Sequence, residues 1–120
     1  VYALNVSTDQ EAMEKLKNSR VAVFGLGGVG SWCAEALCRS GVGSLSLIDQ
    51  DEVGQSNINR QLCALDSTIG RPKAEVMAER LRDINPAAEL IPLTARYEAK
   101  TRRAMITLPT ALTLSPASWI

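Results

Sequence analysis

The sequence predicts an α/β protein, a parallel sheet flanked by helices and organised as half of a doubly wound fold. Three observations predict it. The apolar run Val21-Ala22-Val23-Phe24 leads into the glycine turn Gly25-Leu26-Gly27-Gly28-Val29-Gly30, and a second run, Leu45-Ser46-Leu47-Ile48, ends in the carboxylate of Asp49. Runs that are apolar nearly throughout, rather than alternating, are the pattern of parallel strands covered on both faces. Helical spacing follows each of these strands, which gives the order strand, helix, strand, helix, strand, with right-handed crossovers expected.

Residues 1 to 7 carry no pattern. Thr8-Asp9-Gln10-Glu11 has the form of a capping box, and Met13 and Leu16 then share a face of a short helix over 12–17. The first strand is placed at 20–24 and the next helix at 29–40, where Gly41 can take the left-handed conformation that ends it. Val42 to Asp49 supplies the second strand. From Gln50 to Gly70 the chain is polar and irregular, and a loop of that length in a small domain is usually functional or disordered. Arg71-Pro72 starts a helix with proline in its first turn, and Ala74, Met77, Ala78 and Leu81 form its apolar face. Asn85-Pro86 stops it, and a third strand follows over 88–93 with Pro92 placed at a strand end. After Arg103 there is no charged residue and no periodicity that commits to helix or strand. Residues 1–103 are therefore read as the domain and 104–120 as an uncharged tail.

Composition narrows the classes. A chain of 120 residues is long enough for one domain and too short for two ordinary ones. Thirteen basic and thirteen acidic residues balance, so no global charge draws the chain to nucleic acid or membrane. No apolar stretch is long enough to span a bilayer, and a soluble, cytoplasmic chain is expected. Histidine is absent, which removes histidine bases and histidine metal ligands. Cys33, Cys38 and Cys63 are odd in number and form no CxxC pair, so neither a disulfide framework nor a zinc site is indicated. They read as reduced thiols, with Cys63, which follows the polar loop, the one candidate for a nucleophilic or persulfide-carrying role.

The glycine turn has a chemical reason. A phosphate needs close backbone amides and no side chains in the way; Gly25 and Gly27 allow that approach, and Gly30 lets the following helix pack tightly on the strand. The helix then offers free N–H groups and the positive end of its dipole to the anion. Asp49 stands where a carboxylate hydrogen-bonds ribose hydroxyls. Asp51, Asn57, Arg60, Gln61 and Lys73 add charge and hydrogen-bonding capacity that a dinucleotide does not require and a triphosphate does. Arginine grips phosphate oxygens through two donors, lysine supplies a compact cation, and aspartate can hold Mg2+.

At these residues the chain resembles the adenylation domain of the ThiF/MoeB/HesA superfamily, which is related to ubiquitin-activating enzymes and has a Rossmann-like sheet. The resemblance rests on GLGGVGSWCAEALCRSGVGSLSLIDQDEVGQSNINRQL followed by IGRPKAEVMAERLRDINP. It covers about residues 12–93, with the motif set GxGGxG, DxD, SNxxRQ and GxPK. Within the superfamily, GSWCAEALCRSGVG and NINRQLCAL look most like the tRNA threonylcarbamoyladenosine dehydratase branch. The resemblance implies ATP-dependent activation of a carboxylate as an acyl adenylate with release of pyrophosphate, Mg2+ as the accompanying ion, and a homodimer in the full-length protein. The acceptor it implies is a modified adenosine of tRNA, cyclised with loss of water, or alternatively the C-terminus of a small sulfur-carrier protein. Gly25, Gly27, Gly28 and Gly30 then shape the phosphate loop, and Asp49 binds ribose. Asn57, Arg60 and Lys73 contact phosphates, Arg60 and Lys73 carry the catalytic charge stabilisation, Gln61 supports the loop, and Asp51 is the metal-side carboxylate.

Two departures accompany the resemblance. In the superfamily a fourth strand ends in another aspartate that helps hold magnesium, whereas no acidic residue follows Glu98 here. The opening residues lack the arginine that, in relatives, reaches a partner subunit. The expectation is an N-terminal portion of the larger fold, or a reading frame disturbed at both ends, with impaired activity. A nicotinamide-dependent oxidoreductase fragment and a non-catalytic module that uses only the fold remain as alternatives of other classes.

Overall fold

Two apolar strands carry the architecture: β1 (Arg20–Phe24) and β2 (Ser44–Ile48) pair in parallel, Val21 opposite Leu45 and Val23 opposite Leu47. The structure is a computed structural model that describes residues 10–96 and 111–114. β3 (Glu89–Leu93) adds to the far side of β2 and β4 (Ala111–Leu114) to the far side of β1, giving an all-parallel sheet in the order β3-β2-β1-β4. The helices are α1 (Gln10–Lys17), α2 (Gly28–Ser40) between β1 and β2, and α3 (Lys73–Ile84) between β2 and β3. The α/β expectation is met. Strand β4 arises inside the segment where the sequence commits to no element. Thr8 and Asp9 of the expected capping box lie outside the described residues.

Both crossover helices cover the same face of the sheet. Val21, Val23, Leu45 and Leu47 meet Ala34 and Cys38 of α2 and Ala74, Met77, Ala78 and Leu81 of α3 in one core. The alternate side chains, Ala22, Phe24 and Ile48, point to the other face and cluster with Leu93 and Ala95. Glu35, nearly buried on α2, receives Arg80 of α3 and Arg39 of its own helix, so the two crossovers are tied by charge as well as by packing. α2 ends as expected: Gly41 has φ 100° and its N–H returns to Cys38 and Leu37. Among the described residues no helix is long and apolar enough to cross a membrane.

Pro92 corrects an expectation. It is not at a strand end but within β3, opposite Leu47. β3 is an edge strand among the described residues, and its bonds to β2 run through Glu89, whose N–H donates to Gly43, and Leu93, whose carbonyl accepts from Asp49. In a strand alternate residues face alternate neighbours, so position 92 directs its nitrogen away from β2, where a missing N–H breaks no ladder bond. Pro72 likewise stands just before α3, with extended backbone, and Lys73 is the first helical residue.

The long segment after β2 is an ordered closed loop. Two short 3-10 turns, Gln55–Asn57 and Asp66–Thr68, lie within it. Its base is pinned by Val53 N–H to Arg71 (2.8 Å), Gly70 N–H to Val53 (2.9 Å) and Lys73 N–H to Asp51 (3.0 Å). Polar residues form this loop because its backbone groups bond one another and its own side chains, as when Thr68 Oγ1 donates to Cys63 and accepts the N–H of Leu65.

Leu81, fully buried between α3 and the sheet, tests the core. Leu81→Ala should cost about 3 kcal/mol of unfolding free energy. Leu65→Ala, at a side chain 52% exposed on the loop, should change it by less than about 0.5 kcal/mol, both read by denaturant titration.

Candidate functional site

The carboxyl ends of β1 and β2 lie side by side, and the chain leaves them into the two segments rich in polar and glycine residues. Gly25 closes β1 with φ 90°, a left-handed conformation that glycine adopts without strain, and its N–H donates to the Ile48 carbonyl at the end of β2. Gly30 lies against it: a Cβ on Gly30 would sit 1.8 Å from the Gly25 carbonyl oxygen. The first turn of α2 therefore packs directly on the turn, and its leading N–H groups face outward at the helix's positive end.

Asp49 fastens this arrangement. One carboxylate oxygen accepts the Leu26 N–H (2.7 Å) and the other the Asp51 N–H (2.7 Å). The side chain is 8% exposed, and each oxygen keeps a free lone pair. Asp51 is exposed, with its carbonyl accepting from Lys73. Among the described residues no three of Cys, Asp or Glu cluster as a ready-made metal site.

Arg60 and Gln61 are brought onto the glycine turn. The Arg60 stem lies over Gly28, whose added Cβ would be 3.7 Å from Arg60 Cγ and Cδ, and Gln61 Nε2 lies over Gly27. The Arg60 guanidinium donates to the Ser56 carbonyl (3.0 Å) and to Asn59 Oδ1 (3.1 Å), and the residue is exposed. Gln61 is buried. Asn57 accepts the Gly54 N–H on its Oδ1 (2.8 Å), and its backbone bonds stay within the loop.

Lys73 opens α3 and is only 7% exposed. Among the described residues no carboxylate lies within ion-pair distance of its ammonium. A cation at a helix N-terminus is opposed by the dipole, and among the described residues no buried side-chain nitrogen or oxygen is left without a hydrogen-bond partner. Its charge reaches the neighbouring Cys63 thiol together with that of Asp49. Cys63 is fully buried, with Sγ donating to the Leu26 carbonyl (3.8 Å). Burial raises its pKa above the ordinary thiol value, Lys73 lowering it only in part, so the thiol is a packing group rather than an accessible nucleophile.

Two residues here escaped the sequence reading. Ser31 is completely buried, donates through Oγ to Gly27 (2.6 Å) and accepts the Leu62 N–H (3.3 Å). Trp32 donates its indole N–H to the Arg60 carbonyl (3.1 Å). The available signal was a serine on the buried face of a helix immediately after the glycine turn.

The ThiF family model matches residues 2–114 of the chain. The chain is 55% identical over 92 residues to tRNA threonylcarbamoyladenosine dehydratase of Bacillus subtilis, covering 77% of this chain and 36% of that protein. It is 41% identical over 98 residues to molybdopterin-synthase adenylyltransferase of Salmonella typhimurium, covering 82% and 39%. The structure superposes on that of Escherichia coli tRNA N6-threonylcarbamoyladenosine dehydratase, TcdA, in complex with ATP, with a TM-score of 0.85 and 37% identity over 89% of this chain and 44% of that one. The chain thus spans between about a third and a half of the length of these relatives.

Gly30→Ala should destabilise the chain by about 3 kcal/mol or more, because the turn must open to admit a methyl group, whereas Gly28→Ala should stay within about 1 kcal/mol of the parent; thermal melts compare them. Burial also keeps the Cys38 thiol protonated above its usual range. At neutral pH iodoacetamide should leave Cys38 and Cys63 unmodified until the chain is unfolded, as read by peptide mass.

Proposed function

The chain belongs to the ThiF family, and from that premise we propose that it is the nucleotide-binding portion of an enzyme that adenylates a carboxylate with ATP. The observation that carries this reading is Lys73: a mostly buried lysine opens a helix with no carboxylate in ion-pair distance among the described residues, so its charge adds to the positive end of the dipole, an arrangement that an anion favours. The glycine turn, the first turn of α2 and Arg60 converge on the same edge of the sheet, so the anion that fits is an extended phosphate chain. The ATP and AMP complexes of Escherichia coli TcdA support the nucleotide assignment.

In this reading each residue has one task. The Gly25–Gly30 turn brings amides to the phosphates, and the Asp49 lone pairs not used by Leu26 and Asp51 accept ribose hydroxyls. Lys73 and Arg60 neutralise charge that builds as pyrophosphate leaves, the electrostatic contribution expected of fixed cations. Gln61 braces the turn. Asn57 holds the loop through Gly54 and keeps two amide donors for phosphate. Asp51 would take Mg2+ through one carboxylate, with phosphate oxygens and water completing the shell, a composition usual for that ion.

For the acceptor we propose threonylcarbamoyladenosine of tRNA, activated for cyclisation by dehydration. The higher identity to the Bacillus subtilis dehydratase than to the molybdopterin-synthase adenylyltransferase favours it over a sulfur-carrier C-terminus. Homodimer assembly and a cytoplasmic setting belong to the same proposal.

Calorimetric titration of the chain with ATP and Mg2+, against NAD in parallel, tests the nucleotide reading. ATP binding without NAD binding is expected; the reverse preference would establish the oxidoreductase alternative. Lys73→Met should weaken ATP binding by roughly 10- to 100-fold, the usual worth of a hydrogen bond to a charged group. The same substitution should leave stability unchanged or raise it, since a cation opposed by the helix dipole is removed.

A further inference from the structure

We infer that Ser31 and Trp32 are positioning residues that fix Arg60 against the phosphate turn, an inference that rests on the nucleotide reading above. Arg60 is exposed and sits on a loop, so its side chain alone does not determine where its charge lies. Its backbone is held instead. The Trp32 indole N–H donates to the Arg60 carbonyl, and the Ser31 hydroxyl, itself donating to Gly27, accepts the Leu62 N–H. These bonds fall on the residues either side of Gln61, which lies over Gly27. The segment 60–62 is thus fastened at two points to the first turn of α2.

That turn is also the one whose amides face the phosphate position. A shift of α2 therefore pulls on the Arg60 backbone through two short bridges, while the loop's own bonds to Ser56, Asn57 and Asn59 hold the residue from the other side. Trp32 is 57% exposed, so its ring is not retained for core packing. Ser31 is fully buried on a helix face otherwise lined by Ala34, Glu35 and Cys38, and its hydroxyl uses both its donor and an acceptor site in this contact.

The consequence is a division of labour. Residues that touch only the nucleoside and first phosphate are indifferent to the clamp, whereas a group that meets the departing phosphates depends on it. Trp32→Phe keeps an aromatic ring and removes the donor; Ser31→Ala removes the bridging hydroxyl.

Two readouts on the full chain decide the matter. Trypsin cleavage after Arg60 in the nucleotide-free protein reports release of the segment, and Trp32→Phe and Ser31→Ala should each accelerate it by roughly three- to tenfold, the worth of one hydrogen bond. An unchanged rate overturns the clamp. Titrations with ATP and with AMP then report its use: Trp32→Phe should lower ATP affinity by a similar factor and leave AMP affinity unchanged, and should add nothing in an Arg60→Ala background. Equal losses for the two nucleotides, or additive losses with Arg60→Ala, overturn the positioning role. A parent chain that binds neither nucleotide sinks the nucleotide reading and the positioning role with it, while the cleavage rates still decide the clamp.

Discussion

The Asp49 carboxylate is the junction on which the site depends. Its two oxygens receive the amides of Leu26 and Asp51, and so join the glycine turn that leaves β1 to the loop that leaves β2. Bonds from backbone N–H to a carboxylate are charge-assisted and short; here the bond from Leu26 is buried and the one from Asp51 half-buried. They join the two segments at the ends of their strands, while the Ser31 and Trp32 bonds join them again further along. The Gly25 N–H to Ile48 bond and the contact of Gly30 with the Gly25 carbonyl complete the same joint from the side of β1.

Behind that joint, the core exists to keep two helix N-termini at one edge of the sheet. α2 and α3 pack on the same face, share a core of small and branched side chains, and are linked through Glu35 and Arg80. Ala34, Ala74 and Ala78 are all nearly inaccessible, which lets both helices approach the strands closely. Their dipoles then add at the site, and the placement of Lys73 in the first turn of α3 concentrates positive potential there further. The arrangement is unfavourable for the empty protein and favourable for an anion.

Much of this was legible in the sequence because it depends on local chemistry. The apolar runs gave β1 and β2, Gly41 the end of α2, and the 3.6-residue spacing of Ala74, Met77, Ala78 and Leu81 the face of α3. The parts that were not legible depend on partners distant in the chain. Pro92 is tolerated mid-strand only because β3 is an edge and position 92 faces away from β2, which no local pattern states. Trp32 and Ser31 acquire their roles from residues about thirty positions away. Cys63 looked like a candidate nucleophile because it follows a polar loop, yet that loop folds back beneath the glycine turn and buries it. Ala111–Leu114 is a strand because β1 offers an open partner, not because its own residues demand one.

The site is preformed in one half and adjustable in the other. Gly30, Asp49, Gln61 and Lys73 are all buried, so their places are set by packing. Arg60 is different: its guanidinium is bonded to a carbonyl and a side-chain amide of its own loop. In those bonds only the donor is charged, whereas a phosphate offers bonds in which both partners are charged and two can form side by side. The exchange is favourable only where a phosphate oxygen lies within reach of a side chain whose backbone is already clamped. A nucleotide too short to supply that oxygen leaves Arg60 with its loop acceptors. On the proposed nucleotide reading, length selectivity for the phosphate chain would follow from the difference between two sets of hydrogen bonds, and the rigid half of the site need not change for it to operate.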